Sequence, residues 1–223
     1  MTKILCADTT SENCSISLFE NLSLLGNINS KVERSHSKLL LKLIDDLLNK
    51  CNLELSNIDA FSISKGPGSY TGLRIGISSF KGLCYSLDKP LISVNTLELL
   101  SNFATTKISD TNYYMCPMID ARRMEVFTKL FDRNLNQIID DQAMILDKKS
   151  FNEYKNKKIY FFGSGSNKFN EIINKENFKF INGIYPNTKF MGDLSINKFE
   201  RNDFEDLSSF EPFYIKDYYF IKN

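Results

Sequence analysis

Three stretches of this chain bring together residue types that handle phosphate or protons. The richest is Gly66-Pro67-Gly68-Ser69-Tyr70-Thr71-Gly72-Leu73-Arg74-Ile75-Gly76, which follows an alternating apolar run at 60–64 and opens a helical pattern lasting to about residue 87. Glycines at a strand-to-helix junction let the backbone turn sharply and let another group come close to it. A helix N-terminus also offers unpaired N–H groups and the positive end of a dipole, so phosphate is the first ligand to test. The spacing argues against it. A Walker loop needs Gly, four residues and then Gly-Lys-Ser/Thr, and the dinucleotide fingerprint needs glycine at the first, third and sixth places. In both schemes the position that should be glycine is Thr71.

The second stretch is Asp8-Thr9-Thr10, where hydroxyls beside a carboxylate are able to donate hydrogen bonds. The third is Asp120-Ala121-Arg122-Arg123, whose neighbouring guanidiniums suit a bidentate phosphate or carboxylate, or an interface or solvated structural role. Gly163-Ser164-Gly165-Ser166 is a glycine turn that reads either as a plain strand-to-helix connection or as a contact for adenine or phosphate. Lys65 and Arg74 flank the first loop and could meet a charged partner. Other chemistries are excluded by count and register. There is one histidine, His36, so neither a histidine pair for zinc nor a two-histidine peptidase helix exists. No Gly-x-Ser-x-Gly nucleophile elbow occurs either, because 163–166 is out of register for it.

The elements that must position these residues follow from periodicity. Strands are predicted at 4–8, 14–19 and 22–28; in the second, Cys14, Ile16 and Leu18 share a side. A helix capped by Ser35 or Ser37 runs to about Lys50. Its stripe is Leu40, Ile44, Leu47 and Leu48, with Leu39 and Leu43 widening the apolar surface beyond what one core contact demands. The strand at 60–64 leads into the glycine-loop helix, and Lys89-Pro90 precedes a strand at 91–94. Asn95 with Glu98 resembles a capping box for the next helix. Further on, strands are predicted at 113–119, 125–131, 158–162 and 211–215, with short helices from about Asn167 and from an Asn187 cap to about Phe199. The order is that of a mixed α/β protein. The polar segment near 100–112 divides the chain into lobes at 1–105 and 106–223, with the last strand or helix free to pack back on the first lobe.

One feature of the glycine-loop helix needs a reason. Gly72, Gly76 and Ser79 lie along one line and Ile75, Ser78 and Gly82 along the next. A glycine inside a helix costs about 1 kcal/mol against alanine. The flattened face lets another helix approach inside the usual spacing of about 8–10 Å, either within this fold or in a second chain.

Composition sets the outer limits. The chain has 223 residues, 25% of them charged, and a net charge of +1. That charge gives no global basic field for nucleic acid, so RNA would need a local patch or a partner. Cys6, Cys14, Cys51, Cys84 and Cys116 show no metal or redox spacing and read as reduced thiols of a cytoplasmic protein. No signal peptide or membrane-spanning run is visible.

Several motifs together resemble one family. They are Ile4-Leu5-Cys6-Ala7-Asp8-Thr9-Thr10, His36-Ser37 with Leu39-Leu40 and Ile44, the glycine loop, Asp120-Ala121-Arg122-Arg123, and Glu211-Pro212-Phe213-Tyr214. In that order and spacing they resemble the TsaB (YeaZ) family, glycoprotease-like proteins needed to make threonylcarbamoyladenosine in transfer RNA. The resemblance runs over residues 4–215. It implies an actin-like, Hsp70-like, sugar-kinase-like (ASKHA) α/β fold of two related lobes. It also implies a non-catalytic subunit, not a protease, that pairs with a TsaD-like catalytic paralogue and works with a TsaE-like ATPase. That complex passes threonylcarbamoyl from its adenylate to the N6 amine of the adenosine beside the anticodon, so transfer RNA is met through the complex. Alone, such a chain is expected to form a homodimer. The docking residues implied are Leu39, Leu43, Gly72, Ile75, Gly76, Ser79 and Gly82. A degenerate nucleotide site would comprise Asp8, Thr9, Thr10, Gly163 and Gly165, with no metal, no tightly bound cofactor, and ATP or ADP held weakly or only in the complex. The competing reading is an independent ATP-dependent phosphotransferase of the sugar-kinase class, with Asp8 or Asp120 as base.

Overall fold

Strand β1 (Lys3–Asp8) is buried along nearly its whole length, and β4 (Ala60–Gly66) likewise. Continuous burial of this kind belongs to strands covered on both faces. They lie side by side in parallel at the centre of a five-stranded sheet, ordered β3-β2-β1-β4-β5. Here β2 is Asn13–Glu20, β3 is Ser23–Lys31 and β5 is Leu91–Asn95. The hairpin strands β2 and β3 are antiparallel, whereas β5 runs parallel to β4. The computed structural model describes residues 1–31 and 36–216, and side chains at 36–38 are not among those described. The predicted cap Ser35, and the side chain of Ser37, therefore fall outside the described residues.

Helix α1 (His36–Lys50) follows β3, α2 (Tyr70–Leu87) follows β4, and α3 (Thr96–Thr105) follows β5. The stripe Leu40, Ile44, Leu47 and Leu48 is buried, as periodicity predicts. Asn95 Oδ1 accepts from the Leu97 and Glu98 amides at 2.8 and 3.4 Å, which starts α3 where the sequence places it.

A second five-stranded sheet is ordered β10-β9-β6-β7-β8. Its strands are β6 (Tyr114–Asp120), β7 (Glu125–Asp132), β8 (Gln137–Ile145), β9 (Ile159–Phe162) and β10 (Phe178–Ile181), and α4 (Ser166–Asn170) follows β9. Strands β6, β7 and β8 are antiparallel neighbours, and β9 is parallel to both β6 and β10. This repeats the connectivity of the first sheet, with β6 in the place of β1 and β9 in that of β4, although no repeat is visible in the sequence. Phe151, Phe161, Phe169 and Phe178 form the aromatic centre of its core.

The chain divides into one unit made of Met1–Phe103 and Pro186–Pro212, and another of Ala104–Tyr185 with the residues from Phe213. The division near 100–112 agrees with this, and the closing element allowed to pack back on the first lobe is the stretch 186–212, wider than one helix. Helix α5 (Gly192–Glu200) lies in the first unit, where Met191 and Ile196 pack with Ile4, Cys6, Phe19 and Val94. The Thr188 hydroxyl meets Ser15 Oγ at 2.8 Å and Ser17 Oγ at 2.7 Å. These buried serines on the face of β2 are thus satisfied by a residue more than 170 positions away. Asn187 caps the 3-10 turn Thr188–Phe190 through the Lys189 amide, and α5 starts separately after it. The strand predicted at 211–215 is absent: residues 211–214 are irregular, and Pro212 has no N–H for a ladder.

Candidate functional site

The turn after β1 is closed from within. Asp8 is fully buried, and its Oδ1 accepts from the Thr10 amide at 3.0 Å and the Thr10 hydroxyl at 2.9 Å. The Thr9 hydroxyl donates to the Gly72 carbonyl at 2.7 Å, and Thr10 O accepts from the Ser69 amide at 2.8 Å. Ser69 caps α2 by accepting from the Gly72 amide. The start of α2 thus lies directly on this turn. A methyl at Gly72 would stand 1.9 Å from Thr9 O, and one at Gly76 would stand 2.3 Å from Thr9 Oγ1. These two glycines exist for a close approach inside the chain.

The docking residues expected on α2 differ in what they touch within the chain. Gly72 and Gly76 are buried against Thr9, a contact within the chain that accounts for their missing side chains. Ile75 and Ser79 are half-buried. Gly82 is exposed, with nothing within 4 Å of the position its Cβ would take. On α1, Leu43 is only 6% exposed and belongs to the core, and Leu39 is half-buried. Among the described side chains of α1 and α2, the exposed large apolar ones are Leu41, at 52%, and Tyr85, at 85%. The Leu39-Leu40-Leu41 run already contained the signal for Leu41, because a stripe through 40, 44, 47 and 48 leaves 41 on the flank.

Beside this face, Leu41, Ile44, Leu48, Leu53 and Leu83 line a groove of about 300 Å³, with Asp45 and Glu54 among its polar residues. Arg74 lies over the Tyr70 ring at 4.2 Å, at the N-terminal end of α2.

In the second unit, Gly163 has φ +94°, which favours glycine, and a Cβ there would meet Met118 O at 2.4 Å. A Cβ at Gly165 would meet the Val126 side chain at 2.6 Å, while its amide donates to Met118 O at 2.9 Å. Both glycines are consumed in seating the β9–α4 turn on β6 and β7. The neighbouring hairpin tip is held by Lys168, whose ammonium donates to Asp120 Oδ1 at 2.8 Å and to Arg123 O at 2.7 Å. Asp120 Oδ1 also accepts from the Arg122 amide at 2.6 Å. Arg122 and Arg123 are themselves exposed.

Four of the five thiols are buried and poor nucleophiles. Burial pushes Cys6 up to about 12 against weaker opposing hydrogen bonds from Ser195 and Ser62. Burial does the same, to about 12, at Cys14, Cys84 and Cys116. Among the described residues no group of acidic, histidine and cysteine side chains is placed to hold a metal. No helix among them is long and apolar enough to cross a membrane.

Comparison with known proteins agrees with this geometry. The family described as TsaD, tRNA N6-adenosine threonylcarbamoyltransferase, matches residues 24–216. The tRNA threonylcarbamoyladenosine biosynthesis protein TsaB of Bacillus subtilis (strain 168) is 30% identical over 174 residues, covering 76% of this chain and 74% of that protein. Among solved structures, YeaZ from Pseudomonas aeruginosa superposes with a TM-score of 0.83 at 22% identity, covering 96% of this chain and all of that one. An inorganic polyphosphate/ATP-glucomannokinase from Arthrobacter sp. strain KM shares the fold at a TM-score of 0.50 and 7% identity, covering 90% of this chain and 100% of that one. The actin-like, sugar-kinase-like class expected from the sequence is the fold observed.

Proposed function

This chain belongs to the TsaB (YeaZ) branch of the tRNA N6-adenosine threonylcarbamoyltransferase family, and on that premise we propose that it is a docking subunit in the synthesis of threonylcarbamoyladenosine in transfer RNA. It supports a TsaD-like paralogue that performs the transfer, acts together with a TsaE-like ATPase, and pairs with itself when alone.

The observation that carries this reading is the outer face of α2. Gly82 lies within the helix with no neighbour of its own to accommodate, beside Ser78 and the exposed Tyr85. An interior glycine costs about 1 kcal/mol, and no contact among the described residues accounts for it. A helix from another chain crossing at that point does. The exposed Leu41 of α1 lines the neighbouring groove together with Leu83 of α2.

The independent phosphotransferase is the weaker reading. Phosphate handling at the β1 turn needs open backbone amides. Here Thr10 N is taken by Asp8, and Thr9 and Thr10 fill the turn beneath α2. Four of the thiols are held protonated by burial, which leaves them inert as nucleophiles. These features support reading the chain as a non-catalytic subunit that is not a protease.

Reconstitution tests it. Threonylcarbamoyl transfer to transfer RNA is measured with TsaD-like and TsaE-like proteins present, with and without this chain. Transfer that requires the chain, together with none from the chain alone, supports the proposal. Equal transfer in its absence, or turnover by the chain by itself, contradicts it.

A further inference from the structure

We propose that the Arg122–Arg123 hairpin tip is an anion site that takes a phosphate ester, from an RNA backbone or from a nucleotide.

The two units repeat one topology, and each has an aspartate ending the strand before its first hairpin. Asp8 Oδ1 accepts the amide two residues on at 3.0 Å, and Asp120 Oδ1 does the same at 2.6 Å. Beyond that shared turn the two copies diverge. In the first unit the following side chains, Thr9 and Thr10, are buried under α2. In the second, Ala121 stands in the place of Thr9, and the exposed Arg122 and Arg123 come after it.

Both arginines are held in the left-handed region, with φ 72° and 46°. Non-glycine residues avoid that region, and asparagine or glycine would fill a tight hairpin at lower cost. Strain of this kind concentrates where a side chain must be presented in one direction. Fixation comes from several sides. Lys168 donates to Arg123 O and, at 3.2 Å, to Glu125 O; Ala121 N donates to Glu125 O at 3.1 Å. Asp120 N donates to Ser164 Oγ at 3.1 Å.

Charge completes the case. The two nearby carboxylates are already committed, Asp120 to Lys168 and Glu125 to Lys216. Among the described residues neither guanidinium has an ion-pair partner. Two adjacent, planar, permanently charged forks on a locked backbone match the oxygens of a phosphate ester better than a lone flexible cation does. The site lies in the second unit and does not depend on the α2 docking face. Only the choice of transfer RNA as a probe rests on the function proposed above.

The test compares wild type with Arg122→Asn/Arg123→Asn, which removes charge while asparagine tolerates the left-handed backbone. Arg122→Lys/Arg123→Lys keeps the charge and removes the fork, and is the second comparison should the first variant fold poorly. Transfer RNA affinity is measured across a salt series and ATP affinity by calorimetry, with thermal midpoints as the folding control. An RNA contact predicts that the asparagine variant binds transfer RNA on the order of tenfold more weakly. Its log–log salt slope is then shallower by roughly 0.7–0.9 per arginine, and the lysine variant keeps the wild-type slope. A nucleotide contact predicts loss of ATP binding with RNA affinity unchanged. The proposal is overturned if wild type binds neither probe, if the asparagine variant matches wild type for both, or if the lysine variant loses as much slope as the asparagine one.

Discussion

Gly72 and Thr9 interlock: the Thr9 hydroxyl donates to the Gly72 carbonyl at 2.7 Å, and a Cβ on Gly72 would approach Thr9 O to 1.9 Å. The contact joins the first turn of the chain to the start of its most informative helix. It also separates two kinds of glycine on α2, one kind used inside the fold and the other, Gly82, unused by it.

Alanine substitution should tell them apart. Gly72→Ala forces the backbone of Thr9 or α2 to move and should lower unfolding free energy by about 1–3 kcal/mol, an overpacking cost. Gly82→Ala gains helix propensity in open space and should raise it by up to about 1 kcal/mol. Urea unfolding of both variants measures the difference. Equal effects would mean that the Thr9 contact is not what fixes the helix.

The Thr188 hydroxyl is shared by two buried serines of β2, at 2.8 and 2.7 Å. Thr188→Val keeps the shape and removes the hydroxyl, and should cost about 1–3 kcal/mol because Ser15 and Ser17 lose a partner. Thr188→Ser should cost less. If valine proves neutral in chemical denaturation, residues 186–212 are not anchored through this group.

Thiol reactivity should follow burial. A disulfide reagent at pH 8 is expected to modify Cys51, the half-buried thiol, in the native protein and all five cysteines in denaturant. The sign of the pH effect follows from the same groups. Cys6, Cys14, Cys84 and Cys116 are pushed up from 9.0 to about 12 in the folded state. Their neutral form therefore contributes stability fully below pH 9 and progressively less as pH rises from there towards 12. Alkaline unfolding should start above about pH 9 and weaken in a Cys→Ala series. Rapid native modification of Cys6 or Cys116 would contradict this burial.

Much of the architecture was legible because buried strands and amphipathic helices announce themselves locally. The runs at 4–8 and 60–64 and the stripe of α1 are of that kind. β8 was not predicted, since Gln137-Ile138-Ile139-Asp140-Asp141-Gln142 does not alternate and pairs on one side only, with β7. β10 is four residues long, too short for periodicity. A closing element packing back on the first lobe was expected, but its extent, 186–212, rests on distant contacts such as Thr188 with Ser15, to which local reading is blind. The flattened line on α2 was visible in the sequence, but not the direction it faces. Gly72 and Gly76 turn to Thr9, and Gly82 alone among the helix glycines faces outward.

The most direct test of the central claim is threonylcarbamoyl transfer in the reconstituted mixture with Gly82→Arg in place of the wild-type chain. Its mass, alone and with the TsaD-like protein, is measured in parallel by light scattering. Arginine fits the folded monomer, since Gly82 has open space around it, so its thermal midpoint should match wild type or exceed it. The account predicts that this variant neither pairs nor supports transfer. Normal pairing with full transfer by a folded Gly82→Arg chain would contradict it.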